Sequence, residues 1–206
     1  MSDDAPPPFV HVLPSTAWHQ AGHVVAAYFL GRRFDTVTVG VADEEQGSQG
    51  TVSRCGFEQF ADEFTPHVDT VGAGASDALE HLIRPIIVEL YAGHASEKAY
   101  MGRSPAVASQ HDRDVAARLA DYCVGSEDEL TAYTRWLYVR AEAAVASPFW
   151  QRAIYAVADA FLDRRTLTYD EVRAVIEAAT RKVTRPTLTA LQNPAPEPAQ
   201  DRSSEE

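Results

Sequence analysis

The chain has 206 residues, 45% of them hydrophobic and 23% charged, which is ordinary for a globular protein and enough for one well-packed domain. A net charge of −12 and a pI near 5.0 argue against nucleic acid and anionic membrane surfaces as partners, since both attract clustered Lys and Arg. No apolar stretch approaches the roughly 20 residues of a bilayer span, and Cys55 and Cys123 make neither a disulfide framework nor a C-x-x-C site, so a reduced, cytoplasmic setting is expected.

Residues 1–8, acidic and proline-rich, read as a disordered leader without the basic start and apolar run of a secretory signal. A single domain is expected over 9–185, followed by a disordered Pro-rich, acidic tail over 186–206. The first helix is expected over 16–30, with Ser15 or Thr16 as N-cap and Gly31 as its stop. Trp18, Ala21, Val24, Val25, Tyr28 and Phe29 make it apolar almost all round, so it should be enclosed on several sides. The stretch 34–41 alternates and is rich in β-branched residues, 42–49 is a polar loop, and 50–55 reads as the returning strand of a hairpin. Residues 56–74 carry no decisive pattern. A second helix is expected over 77–100, with Asp77 and Glu80 resembling a capping box and Pro85 kinking or dividing it. Shorter helices follow over 109–123, 127–146, 148–164 and 169–182. Ser147 with Pro148, and Thr168 with Glu171, supply the start signals of the last two. The fold class is therefore mainly α with a small β-hairpin.

Within the first helix only His19, Gln20 and His23 are strongly polar among the central positions. Histidines four apart project from one helix face, close enough for both imidazoles to bind one metal ion. The spacing is that of the H-E-x-x-H zinc-hydrolase motif, with Gln20 where the general-base Glu belongs. Gly22 inside the helix costs about 1 kcal/mol relative to Ala, which points to a close backbone approach at that position. A catalytic zinc takes a third protein ligand, to be sought among His11, His67, His81, His94, His111 and the acidic residues. Helical phase favours Asp112, which shares a stripe with Val115, Ala116, Leu119 and Cys123. An Asp on a buried stripe is costly unless it is paired or ligates a cation.

Trp18-His-Gln-Ala-Gly-His-Val-Val-Ala26 resembles the signature helix of the peptidase domain of FtsH-type ATP-dependent zinc metalloproteases, which typically reads H-E-A-G-H-A. The hairpin region is similar to that domain's. Leu90-Tyr-Ala-Gly-His-Ala-Ser-Glu-Lys-Ala-Tyr-Met-Gly102 resembles its G-G-R-x-A-E-E-x-x-x-G helix, with Gly93, Glu97 and Gly102 in register. Ala108-Ser-Gln-His-Asp-Arg-Asp-Val-Ala116 is similar to the A-S-N-D segment that carries the third zinc ligand, which falls on Asp112. The resemblance covers about residues 15–125. It implies a zincin-like helical metallopeptidase fold with C-terminal helices, zinc held by His19, His23 and Asp112, and supporting roles for Gly22 and Glu97. It departs at Gln20, and there is no P-loop G-x-x-x-x-G-K-[ST] in the chain, so an ATPase would have to be a separate partner.

In such proteases the Glu takes a proton from the attacking water and gives it to the leaving amine. A Gln amide has the same shape but accepts no proton at neutral pH. Three readings follow. The chain is a catalytically impaired member that binds zinc and a polypeptide or protein partner. Alternatively it is an active zinc metalloendopeptidase, through a substitute base such as Glu97 or Asp114 or because Gln20 is an engineered replacement of a native Glu. The third is a helical interaction module without metal. Substrate, partner and oligomeric state are not legible.

Overall fold

The computed structural model describes residues 14–39, 42–43, 47–48, 51–53, 77–102 and 110–181. The expected leader 1–8, the undecided stretch 56–74 and the expected tail 186–206 lie outside the described residues, as do His11, Cys55 and His67. Among the described residues the fold is mainly α-helical, with one three-stranded and one two-stranded antiparallel sheet. No helix there is long and apolar enough to cross a membrane.

Helix α1 spans Pro14–Phe29, and every residue from Thr16 to Ala27 is buried. It begins two residues earlier than expected, so Ser15 and Thr16 are helical rather than capping. Pro14 is tolerated at the first turn because its missing N–H would have no helical partner there. The stop is as read. Gly31 has φ of +74°, and the Arg32 N–H reaches back to the Ala27 carbonyl at 2.8 Å.

The chain then forms strand β1 (Thr36–Thr38), the short pair β2 (Ala42–Asp43) and β3 (Gly47–Ser48), and β4 (Thr51–Ser53). β1 pairs antiparallel with β4, which is the expected hairpin with shorter strands, and β2 with β3 pairs within the span read as a loop. A strand the sequence reading missed, β5 (Thr166–Thr168), takes the other edge of β1. Val37, Val39 and Leu167 turn inward and are fully buried. Each contributes on the order of 1.5–3 kcal/mol by leaving water. On the outer face Thr38 and Thr166 oppose each other with their hydroxyl oxygens 2.9 Å apart.

Helix α2 is a single 25-residue element, Asp77–Met101, and Pro85 does not divide it. The expected capping box rests on the Asp77 side chain, which lies outside the described part of the structure. Asp77 is itself helical, and the Glu80 carboxylate is held by Arg84 and by the Tyr133 hydroxyl. Helices α3 (Gln110–Asp121), α4 (Glu127–Ala146), α5 (Pro148–Arg164) and α6 (Tyr169–Thr180) complete the domain. Their caps follow the sequence signals. Ser126 and Ser147 accept from the backbone N–H groups of Glu129 and Trp150, and Thr168 with Glu171 makes a full capping box. Arg165, at φ of +59°, ends α5 and turns the chain directly into β5.

Two apolar clusters result. One joins α1, α5, α6 and the three-stranded sheet; the other joins α2, α3 and α4. The metal-motif helix α1 runs between them, packed chiefly on α2 and α5. That position encloses its two histidines.

Candidate metal centre

Helices α1 and α2 meet backbone to backbone where the motif lies. A Cβ added at Gly22 would overlap the Ala92 carbonyl oxygen and stand 2.7 Å from the Ser96 Cβ, so only glycine fits. The Ser96 hydroxyl donates to the Trp18 carbonyl at 2.9 Å and fastens the same contact one turn away. The close crossing brings the His19 and His23 rings against α2, where both are buried.

The two Nε2 atoms lie 2.9 Å apart. Asp112, in the first turn of α3, sets Oδ2 at 3.1 Å from the His19 Nε2 and 3.3 Å from the His23 Nε2. Ligand atoms roughly 2.0–2.2 Å from one ion at tetrahedral angles lie about 3.3 Å apart, close to the edges of this triangle. His19, His23 and Asp112 can therefore hold a metal ion. The structure thus brings together the three residues that spacing and helical phase had selected.

The outer nitrogens of both rings are directed at acceptors. The His23 Nδ1–H donates to the Glu89 carbonyl at 2.9 Å. The His19 Nδ1 faces the Glu97 carboxylate at 3.4 Å, a charge contact rather than a well-aligned hydrogen bond. With protons on the outer nitrogens, both Nε2 lone pairs and the Asp112 carboxylate converge on one small volume. Such a concentration of electron density favours positive charge there, from a metal ion or a proton. In the metal-free protein a proton fills that role. Burial pulls the His19 pKa down, but the Asp112 and Glu97 carboxylates outweigh it and raise it to about 9. Burial likewise pushes the Asp112 carboxyl up, yet the two imidazoles facing it hold it well below the usual carboxylate range.

Gln20 lies one position from His19 and three from His23, on the same side of α1. It is buried, and its Oε1 has no donor among the described residues. Glu97 is on the Nδ1 side of His19, with the imidazole ring between it and the Nε2 triangle. It can orient the ring but does not reach the ion position. Asp114 is exposed and accepts from the Gln110 side chain. His81 and His111 are exposed, and buried His94 packs against Tyr138, where burial lowers its pKa.

Two contributors escaped the sequence reading, Glu89 and Arg32. The signal was a lone Glu inside the apolar run 86–91, where a charge needs a partner. No protein-family model matches the chain, and no curated protein matches it at a significant level.

Proposed function

We propose that this chain is a zinc-binding domain of the FtsH-type metallopeptidase kind that engages polypeptide and, with Gln20 in place of Glu, hydrolyses it poorly or not at all. The observation that carries the reading is the buried convergence of the His19 and His23 Nε2 atoms with the Asp112 Oδ2, at 2.9–3.3 Å. Two imidazoles and a carboxylate suit zinc and also suit Fe(II), which elemental analysis tells apart. Zinc in this position supplies Lewis acidity toward a scissile carbonyl.

The rest of the chemistry belongs to the chain. His23 and His19 are oriented through their Nδ1 atoms by Glu89 and Glu97. The buried Gln20 Oε1, without a donor among the described residues, leaves an acceptor that a bound water or substrate amide would satisfy. The Gln20 side chain can hydrogen-bond a nucleophile but cannot take its proton, and loss of a positioned base costs about 10²–10⁴-fold. Neither Glu97, behind His19, nor Asp114, bonded to Gln110, stands where a substitute base is needed. This favours the impaired form over the active one.

The test is metal content with peptidase activity of the purified chain. About one zinc per chain and background hydrolysis of unfolded protein are expected. A chain that stays metal-free in excess zinc leaves only a helical interaction module, and substantial zinc-dependent cleavage by the Gln20 form makes it an active peptidase.

A further inference from the structure

The buried Glu89 is gripped at two points, from α1 and from the turn that ends it. Its carbonyl accepts from the His23 Nδ1–H at 2.9 Å. Its carboxylate, only 3% exposed, accepts from the Arg32 Nε–H at 2.6 Å. Arg32 does not belong to the helix. It follows the left-handed Gly31, and its own N–H is tied to the Ala27 carbonyl, so the turn that ends α1 fixes where its guanidinium goes. Sequence separation makes this arrangement non-local. Residue 89 in α2 is bound by residue 23 in the middle of α1 and by residue 32 beyond its end.

We propose that Arg32 and Glu89 are positioning residues for the metal ligand His23. The ion pair fixes the axial position of α2 at residue 89 against α1, and so holds the one carbonyl that keeps the His23 proton on Nδ1. With the proton there, Nε2 presents its lone pair to the Asp112 side. If the carbonyl retreats from the ring by about half an ångström, the bond passes the normal hydrogen-bond range, and the ring gains a second tautomer that turns an N–H toward the ligand triangle. A short, charge-assisted pair with a buried carboxylate suits this task, because its geometry is narrow and its disruption costly. The inference rests on the metal-site reading above for its consequence, though not for its geometry.

The experiment compares wild type with Arg32→Ala, Arg32→Lys, Glu89→Gln and the Arg32→Ala/Glu89→Gln double variant. Side-chain ¹⁵N NMR of the metal-free protein reports which His23 nitrogen carries the proton, and chelator competition reports zinc affinity. The wild type should show the Nδ1–H form. Arg32→Ala and Glu89→Gln should mix the tautomers and weaken zinc by about 10–100-fold. The double variant should be no worse than the poorer single one, and Arg32→Lys should recover part of the loss. Variants that melt lower but keep the wild-type His23 tautomer and zinc affinity would reduce the pair to a helix clamp and overturn the proposal. If the wild type takes no zinc, the functional reading fails while the tautomer measurement still decides the positioning role. If Arg32→Ala does not fold, Glu89→Gln and Arg32→Lys, which preserve shape, decide it.

Discussion

Gly93 lies flat against the His23 imidazole: a Cβ at residue 93 would overlap Nε2, the very atom that faces Asp112, and stand 2.6 Å from Cε1. Gly93→Ala should therefore displace a ligand rather than merely crowd a core. Although alanine favours a helix by up to about 1 kcal/mol, the collision with a ring held on its other side outweighs that gain. Zinc affinity is expected to fall at least tenfold, with 1–3 kcal/mol of lost stability, approximately the cost of overpacking. Titration calorimetry and thermal melts of the variant check both. The Gly22→Ala change meets backbone instead, at Ala92, and should cost stability at least as large because a helix axis must move.

Removing a ligand should remove the ion. His19→Ala, His23→Ala and Asp112→Ala proteins are expected to purify without zinc. They should also lack the zinc-dependent rise in melting temperature expected of wild type, since a ligand at about 100 times its Kd stabilises by roughly 2.7 kcal/mol. Glu97→Gln should retain zinc with affinity reduced by about 10–100-fold, as it faces His19 from behind. Equal zinc content in all four proteins would place the ion elsewhere.

The pH dependence of the metal-free protein follows from His19 and Asp112. The His19 pKa rises on folding from 6.5 to about 9, so its stabilisation is complete below pH 6.5 and disappears as pH climbs through 9. Asp112 moves the other way from 3.8, so its contribution holds above that pH and fades as pH falls below it. The stability of the metal-free protein, and with it the melting temperature, should thus peak between about pH 4 and 6.5 and decline toward pH 9, the loss of stability being on the order of 3 kcal/mol. Zinc bound as proposed would have to displace the His19 proton. Its apparent affinity should weaken about tenfold for each pH unit below 9, and the alkaline decline should vanish in the loaded protein. Melts with and without zinc across pH 5–9 measure this.

Gln20→Glu isolates the missing proton acceptor. If polypeptide reaches the site as proposed, this change should raise hydrolysis of unstructured polypeptide by about 10²–10⁴-fold without ATP, while leaving zinc stoichiometry unchanged. A zinc-loaded Gln20→Glu variant that remains inert would mean that the domain binds and does not cut.

Part of this molecule was legible from neighbours along the chain. The histidine pair on one face of α1, the Gly31 stop, the Ser147 and Thr168 caps and the placement of Asp112 on the α3 stripe are all local consequences of helical periodicity and backbone hydrogen bonding. Helical phase could say that Asp112 faces inward. It could not say that it faces these two imidazoles, because their meeting depends on how α1, α2 and α3 cross. That crossing was settled by contacts between residues far apart: Gly22 on Ala92, Gly93 on His23, and Glu89 between His23 and Arg32. Strand β5 escaped for the same reason, since three residues after a helix carry no pattern until β1 offers an edge. Glu80 shows the converse, since a local pattern does not name the partners its carboxylate finds. Arg84 and Tyr133 compete for the Glu80 carboxylate, and Tyr133 lies 53 residues away in another helix. Local patterns fix which way side chains point along an element; only packing decides what they find there.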